Sequence, residues 1–330
     1  MPNSVINDLS SVGELSGGLL EVTGDVTNLA DAKVVLFDPH YGQRVAGVLP
    51  QNTRYEAFLR DHPGVQKALR AYNNRERDAG VRELIEHIES DVRGVVGVHC
   101  KLPIAAANPN RGLADVSPDS PAIVFGFPGQ AVEELSEAHG VVSSVSARIA
   151  QGVPQGAVAM QLHSMRPRNL DPNLAKSVKN TLASLREVAR NTDDPKIIAR
   201  TILAGISMAD AIWSDAMERG SRRPGVCGFG KISDDDADIC DPALTDDIHA
   251  ALDEADYQPA HGNPFGIKTG ELLTYPCAGF NTILRVRGIP VVMLDISKTH
   301  LLDTTHGETD NGPVDSAKIS RLAKALIPVL

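Results

Sequence analysis

The sequence predicts an α/β fold, on two observations. Short apolar runs of strand character recur along the chain, at KVVLF (33–37), VVGVHC (95–100), AVAMQL (157–162) and PVVMLDI (290–296). Between them lie longer stretches with apolar residues at helical spacing. GVRELIEHIESDV, for example, places Val81, Leu84, Ile85, Ile88 and Val92 on one face. Strands alternating with helices build a sheet covered by helices. With 330 residues, 42% of them apolar, the chain can bury a large core and is too apolar for intrinsic disorder.

Taken in order, residues 1–30 are Ser- and Gly-rich and read as a loose N-terminal arm or an edge element. Residues 31–330 show no clear linker and read as a single α/β domain with loop insertions. The strand at 33–37 is punctuated by Asp38-Pro39. Residues 55–92 read mostly as helix, 95–100 as strand, and the Pro/Asn/Gly-rich stretch to about 120 as loop. AIVFGF (122–127) has strand character, and the strand at 157–162 is followed directly by His163. Long helical patterns cover 174–190 and 196–219, and 220–247 is a Gly- and Asp-rich loop. NTILRVR (281–287) and PVVMLDI read as two strands separated by Gly288-Ile289, and SAKISRLAKALI (316–327) as a closing amphipathic helix.

Composition excludes several function classes. The net charge is −10, from 42 acidic against 32 basic residues. That argues against a general nucleic-acid binder and leaves room for a small anionic substrate held by a few arginines. The apolar runs break within about six residues, against the ~20 that a membrane span needs, so no membrane partner is expected. The four cysteines, Cys100, Cys227, Cys240 and Cys277, contain no C-x-x-C pair and read as inert thiols. With an N-terminus lacking Lys and Arg, this points to a reducing, cytoplasmic setting. No phosphate-binding glycine motif and no G-x-S-x-G occur, which speaks against nucleotide binding and serine hydrolysis.

Chemistry gathers at strand ends. His40 lies just past one strand, His163 directly follows another, and Asp295 lies near the end of a third. Ligands of open α/β sheets bind outside the carboxyl ends of strands, so these side chains can meet there. Two histidines, a carboxylate and a water make an open zinc site; the plainer alternative is that each histidine is a capped loop residue.

A family resemblance enters on six segments. D-P-H-Y-G (38–42) resembles the P-H-[SA]-G motif of the N-formylglutamate amidohydrolase family. R-D-A-G-V-R-E-L (77–84) resembles its W-D-[IT]-G-x-x-x-L helix start, and A-N-P-N-R (107–111) its [IV]-D-x-N-R. Q-L-H-S-M-R (161–166) is similar to D-x-H-S-[FIM], and C-D-P-A-L-T (240–245) also has the family's look. V-V-M-L-D-I (291–296) sits where the family has a strand with x-[IL]-E-[ILV]. Order and rough spacing agree from about residue 33 to 303. The resemblance implies a mixed central β-sheet flanked by helices, of the zinc carboxypeptidase-like (phosphorylase/hydrolase-like) kind.

The resemblance also implies roles. His40, Asp78 and His163 would hold Zn2+ or another divalent metal. Read from the residues alone, Asp78 is equally a helix N-cap. Gln43 falls where the carboxypeptidases carry a Glu ligand, and its neutral amide is a poor substitute, which directs attention to Asp78. Asp295 would stand in for the family's Glu as general base, one methylene shorter; a strand-end carboxylate paired with Lys298 is the alternative. Arg111 would polarise the scissile carbonyl or hold a substrate carboxylate. Asn110 and Arg166 would contact substrate, and Arg168 could act similarly; surface ion pairing is the alternative for the arginines. Gln161 replaces an Asp that could orient the ligand histidine.

The expected activity is that of a metal-dependent amidohydrolase acting on a small, carboxylate-bearing N-acyl amino acid, with N-formylglutamate the family's example. Two rivals are a carboxypeptidase-like peptidase on short peptides or cell-wall fragments, and a non-catalytic binding protein on the same scaffold. A homo-oligomer is compatible with either. S-D-D-D-A-D (233–238) reads as a solvated acidic run, not a calcium loop. His300, Asp303, His306 and Glu308 match no zinc spacing, and the loop around His261 and Thr269 reads as a site cover or a plain turn.

Overall fold

A computed structural model describes residues 5–113, 121–168, 171–220, 226–227, 240–257, 259, 276–305 and 312–330. Six strands form one sheet: β1 (Leu20–Gly24), β2 (Val34–Asp38), β3 (Val95–Cys100), β4 (Val158–Met165), β5 (Val226–Cys227) and β6 (Val291–Ser297). Their order is β1-β3-β2-β4-β6-β5. The inner four are parallel, and β1 and β5 close the edges antiparallel, so the sheet is mixed. The helices are α1 (Val12–Leu15), α2 (Arg54–Asp61), α3 (Pro63–Glu76), α4 (Val81–Asp91), α5 (Gly129–Gly152), α6 (Pro172–Arg190), α7 (Pro195–Arg219), α8 (Pro242–Glu254), α9 (Pro276–Val286) and α10 (Ser316–Leu326).

Parallel strands must be covered on both faces, and their sequences show it. Every residue of β2, β3 and β6 is buried. Val34 and Leu36 join a core with Leu84, Ile85 and Ile88 of α4, Ile248 of α8 and Leu322 of α10. Their neighbours Val35 and Phe37 point the other way, into a core with Tyr55 and Phe58 of α2, Leu69 of α3, Leu135 and Val142 of α5 and Phe280 of α9. Each such side chain stabilises the fold by about 1.5–3 kcal/mol on full burial. Asp-Pro pairs punctuate the chain in two ways. Asp171, Asp194 and Asp241 cap α6, α7 and α8, each followed by Pro at the first helical position. Asp38-Pro39 instead ends β2, since Pro cannot donate to the ladder.

Several expectations change. Of the two readings of the N-terminal stretch, the described residues 5–30 follow the edge element and not the loose arm: Leu20–Gly24 is an edge strand, and Leu9, Val12 and Leu29 are buried. NTILRVR lies in α9, not in a strand. Read with the preceding residues, its apolar stripe is Phe280, Ile283 and Leu284 at helical spacing, while Val286 is 83% exposed. Gly288, at φ 73°, then ends the turn. AIVFGF forms no strand. Its Ala122, Ile123, Phe125 and Phe127 are buried, but the chain passes close against α6, where a Gly126 Cβ would run into Ala189. Of the stretch 220–247, Pro242 onward is helical, and most of the remainder lies outside the described residues. Finally, α7 is long and apolar enough to cross a membrane by length and composition, although no single run in the sequence shows it. It packs one face, including Ile198, Ile202 and Ile206, into the core.

Candidate metal centre

The centre assembles at the carboxyl ends of β2 and β4. Past β2 the chain turns at Pro39, and the His40 backbone N–H donates to Asp38 Oδ1 at 3.2 Å. His163 does not follow β4 but belongs to it, in register with Asp295 of β6. Asp78 arrives from the segment before α4, where its backbone N–H donates to the His40 carbonyl at 3.3 Å. It is not the helix cap: Gly80 occupies that position at φ 87°. A Cβ on Gly80 would lie 2.7 Å from Leu301 Cβ, so only glycine lets the chain turn into α4 there.

Ligand atoms converge. Asp78 Oδ2 lies 3.1 Å from His40 Nδ1 and 3.0 Å from His163 Nδ1. One ligand atom from each of the three residues lies within 4.8 Å of the other two, and all three residues are buried. The second carboxylate oxygen is anchored, Oδ1 accepting the Ser164 backbone N–H at 2.8 Å. Outer partners hold the rings. His40 Nε2 lies 3.1 Å from Asn108 Oδ1, and His163 Nε2 lies 2.7 Å from Gln161 Nε2. Two imidazole nitrogens and one carboxylate oxygen are a donor set suited to zinc and similar divalent ions, with further positions left for water or substrate.

The electrostatics follow from burial. Burial works to raise the Asp78 carboxyl, but the facing His40 and His163 outweigh it and hold it well below the usual carboxylate range. Burial works to lower His163, and the Asp78 carboxylate overturns that, raising it; Asp295 adds in the same direction. A buried anion facing two ring nitrogens is the charge arrangement that a cation relieves.

A second chain of polar groups, buried at Asp38 and His99 and half-buried at Thr23 and Glu89, runs away from the centre. His99 Nδ1 sits 3.6 Å from Asp38 Oδ2, and His99 Nε2 lies 3.0 Å from Thr23 Oγ1. The Thr23 hydroxyl donates to Glu89 Oε1 at 2.5 Å. Burial raises both Asp38 and Glu89.

The other sequence-derived candidates surround the centre to different degrees. Asn110 Nδ2 lies 3.4 Å from both ring nitrogens of His163, and its backbone N–H donates to Asn108 Oδ1 at 2.8 Å. Asp295 is buried beside His163 on the neighbouring strand. Arg111 accepts at its carbonyl from His139 Nε2 at 2.9 Å. Arg166 is buried, paired with Glu76, and stacked 3.8 Å above the Trp213 ring. Burial raises the Tyr72 hydroxyl and Glu76 adds to it, while Arg166, Arg111 and Arg75 oppose. Arg168 donates to the Gly220 carbonyl at 3.0 Å. Gln43 is exposed. Cys100 and Cys240 are buried, with Cys100 pushed up to about 12 by burial. The 233–238 run, His261, Thr269, His306 and Glu308 lie outside the described residues.

No protein-family model and no curated protein matches the chain. Among solved structures it is similar to N-formylglutamate amidohydrolase from Ralstonia eutropha JMP134. That match has 14% identity, covers 94% of each chain, and has a TM-score of 0.49. A gene product of Agrobacterium tumefaciens is similar at 16% identity, over 96% of this chain and 94% of that one, with a TM-score of 0.48.

Sequence reasoning assigned no role to Asn108, Asp38 and His99. Asn108 was within reach, as part of the A-N-P-N-R segment. Nothing local marks Asp38 and His99, which meet only because β2 and β3 pair Asp38 with His99.

Proposed function

We propose that the protein is a metal-dependent amidohydrolase acting on small N-acyl amino acids, N-formylglutamate being the first to try. The approach of His40 Nδ1 and His163 Nδ1 to Asp78 Oδ2, within a buried group of three residues, carries this reading. These residues would hold a divalent ion, zinc first; such an ion supplies Lewis acidity and a water that ionises near neutral pH. The substrate class rests on the motif resemblance and on the buried Arg166 guanidinium.

The chain's own residues would divide the remaining work. Asp295, beside His163, accepts the proton of the attacking water and returns it to the leaving nitrogen as the C–N bond breaks, giving a carboxylic acid and an amine. Arg111 meets the negative charge that develops on the carbonyl oxygen. Arg166, held in place by Glu76 and Trp213, offers a fixed planar fork to the substrate carboxylate. Asn110 lies against His163 and bounds the space in which the amide sits.

The test is amine release from N-formyl-L-glutamate and a panel of other N-acyl amino acids. It uses protein whose Zn2+ or Co2+ content has been measured. Turnover that follows metal content supports the reading. A chain that takes up neither ion overturns it.

A further inference from the structure

The two histidines of the centre are held by amides that differ in one respect. Asn108 Oδ1 accepts the backbone N–H of Asn110 at 2.8 Å, and a backbone N–H can only donate. The atom facing His40 Nε2 at 3.1 Å is therefore an oxygen. His40 must carry a proton on Nε2, so whenever its ring is neutral the Nδ1 that faces Asp78 is bare. This side of the centre is set in advance for a cation.

Gln161 has no such anchor. It is fully buried, its Nε2 faces His163 Nε2 at 2.7 Å, and its Oε1 has no hydrogen-bond partner. In that arrangement the amide donates to a bare Nε2, and His163 carries its proton on Nδ1, donating to Asp78 Oδ2 at 3.0 Å. A proton there occupies the lone pair that an ion needs. Turning the amide by half a revolution exchanges oxygen and nitrogen in nearly the same volume, and then demands the opposite tautomer.

We propose that Gln161 is a positioning residue whose side-chain amide turns over when a divalent cation enters, switching His163 from its Nδ1–H to its Nε2–H tautomer. The proton leaves Nδ1 and one is taken up at Nε2 through water, so the ring stays neutral. A carboxylate at this position could only accept, and would hold the ring ready for the ion at all times. A glutamine serves both states and makes the ion easier to lose. The inference rests on the metal-centre reading above and deepens it.

Two measurements test it. In 15N-histidine NMR of the chelator-treated wild type, above the pH at which His163 titrates, His40 should show its proton on Nε2 and His163 on Nδ1. Added Zn2+ should move the His163 proton to Nε2 and leave the His40 proton in place. In a chelator competition, Gln161→Glu should bind Zn2+ about tenfold more tightly and Gln161→Met about tenfold more weakly, the usual scale for outer partners of metal-ligating histidines. An Nε2–H tautomer of His163 without the ion overturns the inference, as do equal affinities in all three proteins. If those affinities are equal while His163→Ala binds nothing, the metal centre stands and the amide switch falls. If the wild type takes up no Zn2+, both fall.

Discussion

The molecule contains two buried aspartate–histidine groups, linked where the His40 backbone N–H donates to Asp38, and they are built differently. Asp78 faces two ring nitrogens at 3.0 and 3.1 Å with one oxygen, while its other oxygen is tied to the Ser164 backbone. Asp38 faces one ring nitrogen at 3.6 Å, and beyond that ring the contacts run on through Thr23 to Glu89. The first group converges on a point and the second is strung along a line across the sheet edge. Residue types are the same in both. Convergence of ligand atoms onto one position, with outer partners behind them, distinguishes a centre that can hold an ion from a polar chain that fills a gap in the core.

The largest expected effect separates the two groups directly. His163→Ala should lose Zn2+ altogether, from about one ion per chain to none by elemental analysis, since an open site needs its three protein ligands. His99→Ala should keep its ion. Loss of the ion from His99→Ala would break the comparison and make the two groups one unit.

Asp295→Asn comes next. If Asp295 handles the proton, turnover should fall by about 10²–10⁴-fold, with Zn2+ affinity changed little. A matching fall in affinity would place Asp295 among the ligands instead. A smaller effect is expected at the turn that delivers Asp78. Gly80→Ala meets both a positive φ and the Leu301 side chain, and should cost about 1–2 kcal/mol or more in a urea titration.

The pH dependence of the ion-free protein should be the most modest effect. Asp78 is held low and His163 is raised, so their attraction needs an ionised carboxylate and a protonated ring. The Asp78 share is present above the unfolded carboxyl value of about 3.9 and is lost as pH falls through its lower folded value. The His163 share is complete below the unfolded value of about 6.5 and is lost as pH rises through its higher folded value. Thermal unfolding in chelator should therefore show a plateau between those limits, declining on the alkaline side. His163→Ala should remove that alkaline decline, whereas His99→Ala should leave it.

How much of this was legible in the sequence varied with distance. The strands at 33–37, 95–100 and 290–296 are unbroken apolar runs because both faces of a parallel sheet are covered, and they can be read without a partner. The helix of Ile85 and Ile88 shows its buried stripe in the same direct way. NTILRVR misled because seven residues are too few to tell period two from one stripe of a helix, and only the packing of Phe280 and Leu284 decides. The edge strand at Leu20–Gly24 carries no strong pattern, since half-buried edges need none, and pairing with β3 makes it a strand.

At the site, the chain by itself fixed which chemistry-bearing side chains fall at strand ends: His40 after Pro39, His163 near the end of β4, and Asp295 near the end of β6. That followed from local rules, because a strand's carboxyl end and a proline break are written in consecutive residues. Tertiary structure alone decided that Asp78 is a member of the centre and not a helix cap. Gly80 took the cap, and the Ser164 backbone, brought alongside by β4, turned the carboxylate inward. It also decided that Asn108 stands behind His40, while Gln161 stands behind His163, where the motif comparison places an orienting residue. Orientation and tautomer depend on contacts between segments far apart in the chain, and those contacts exist only once the sheet has closed around them.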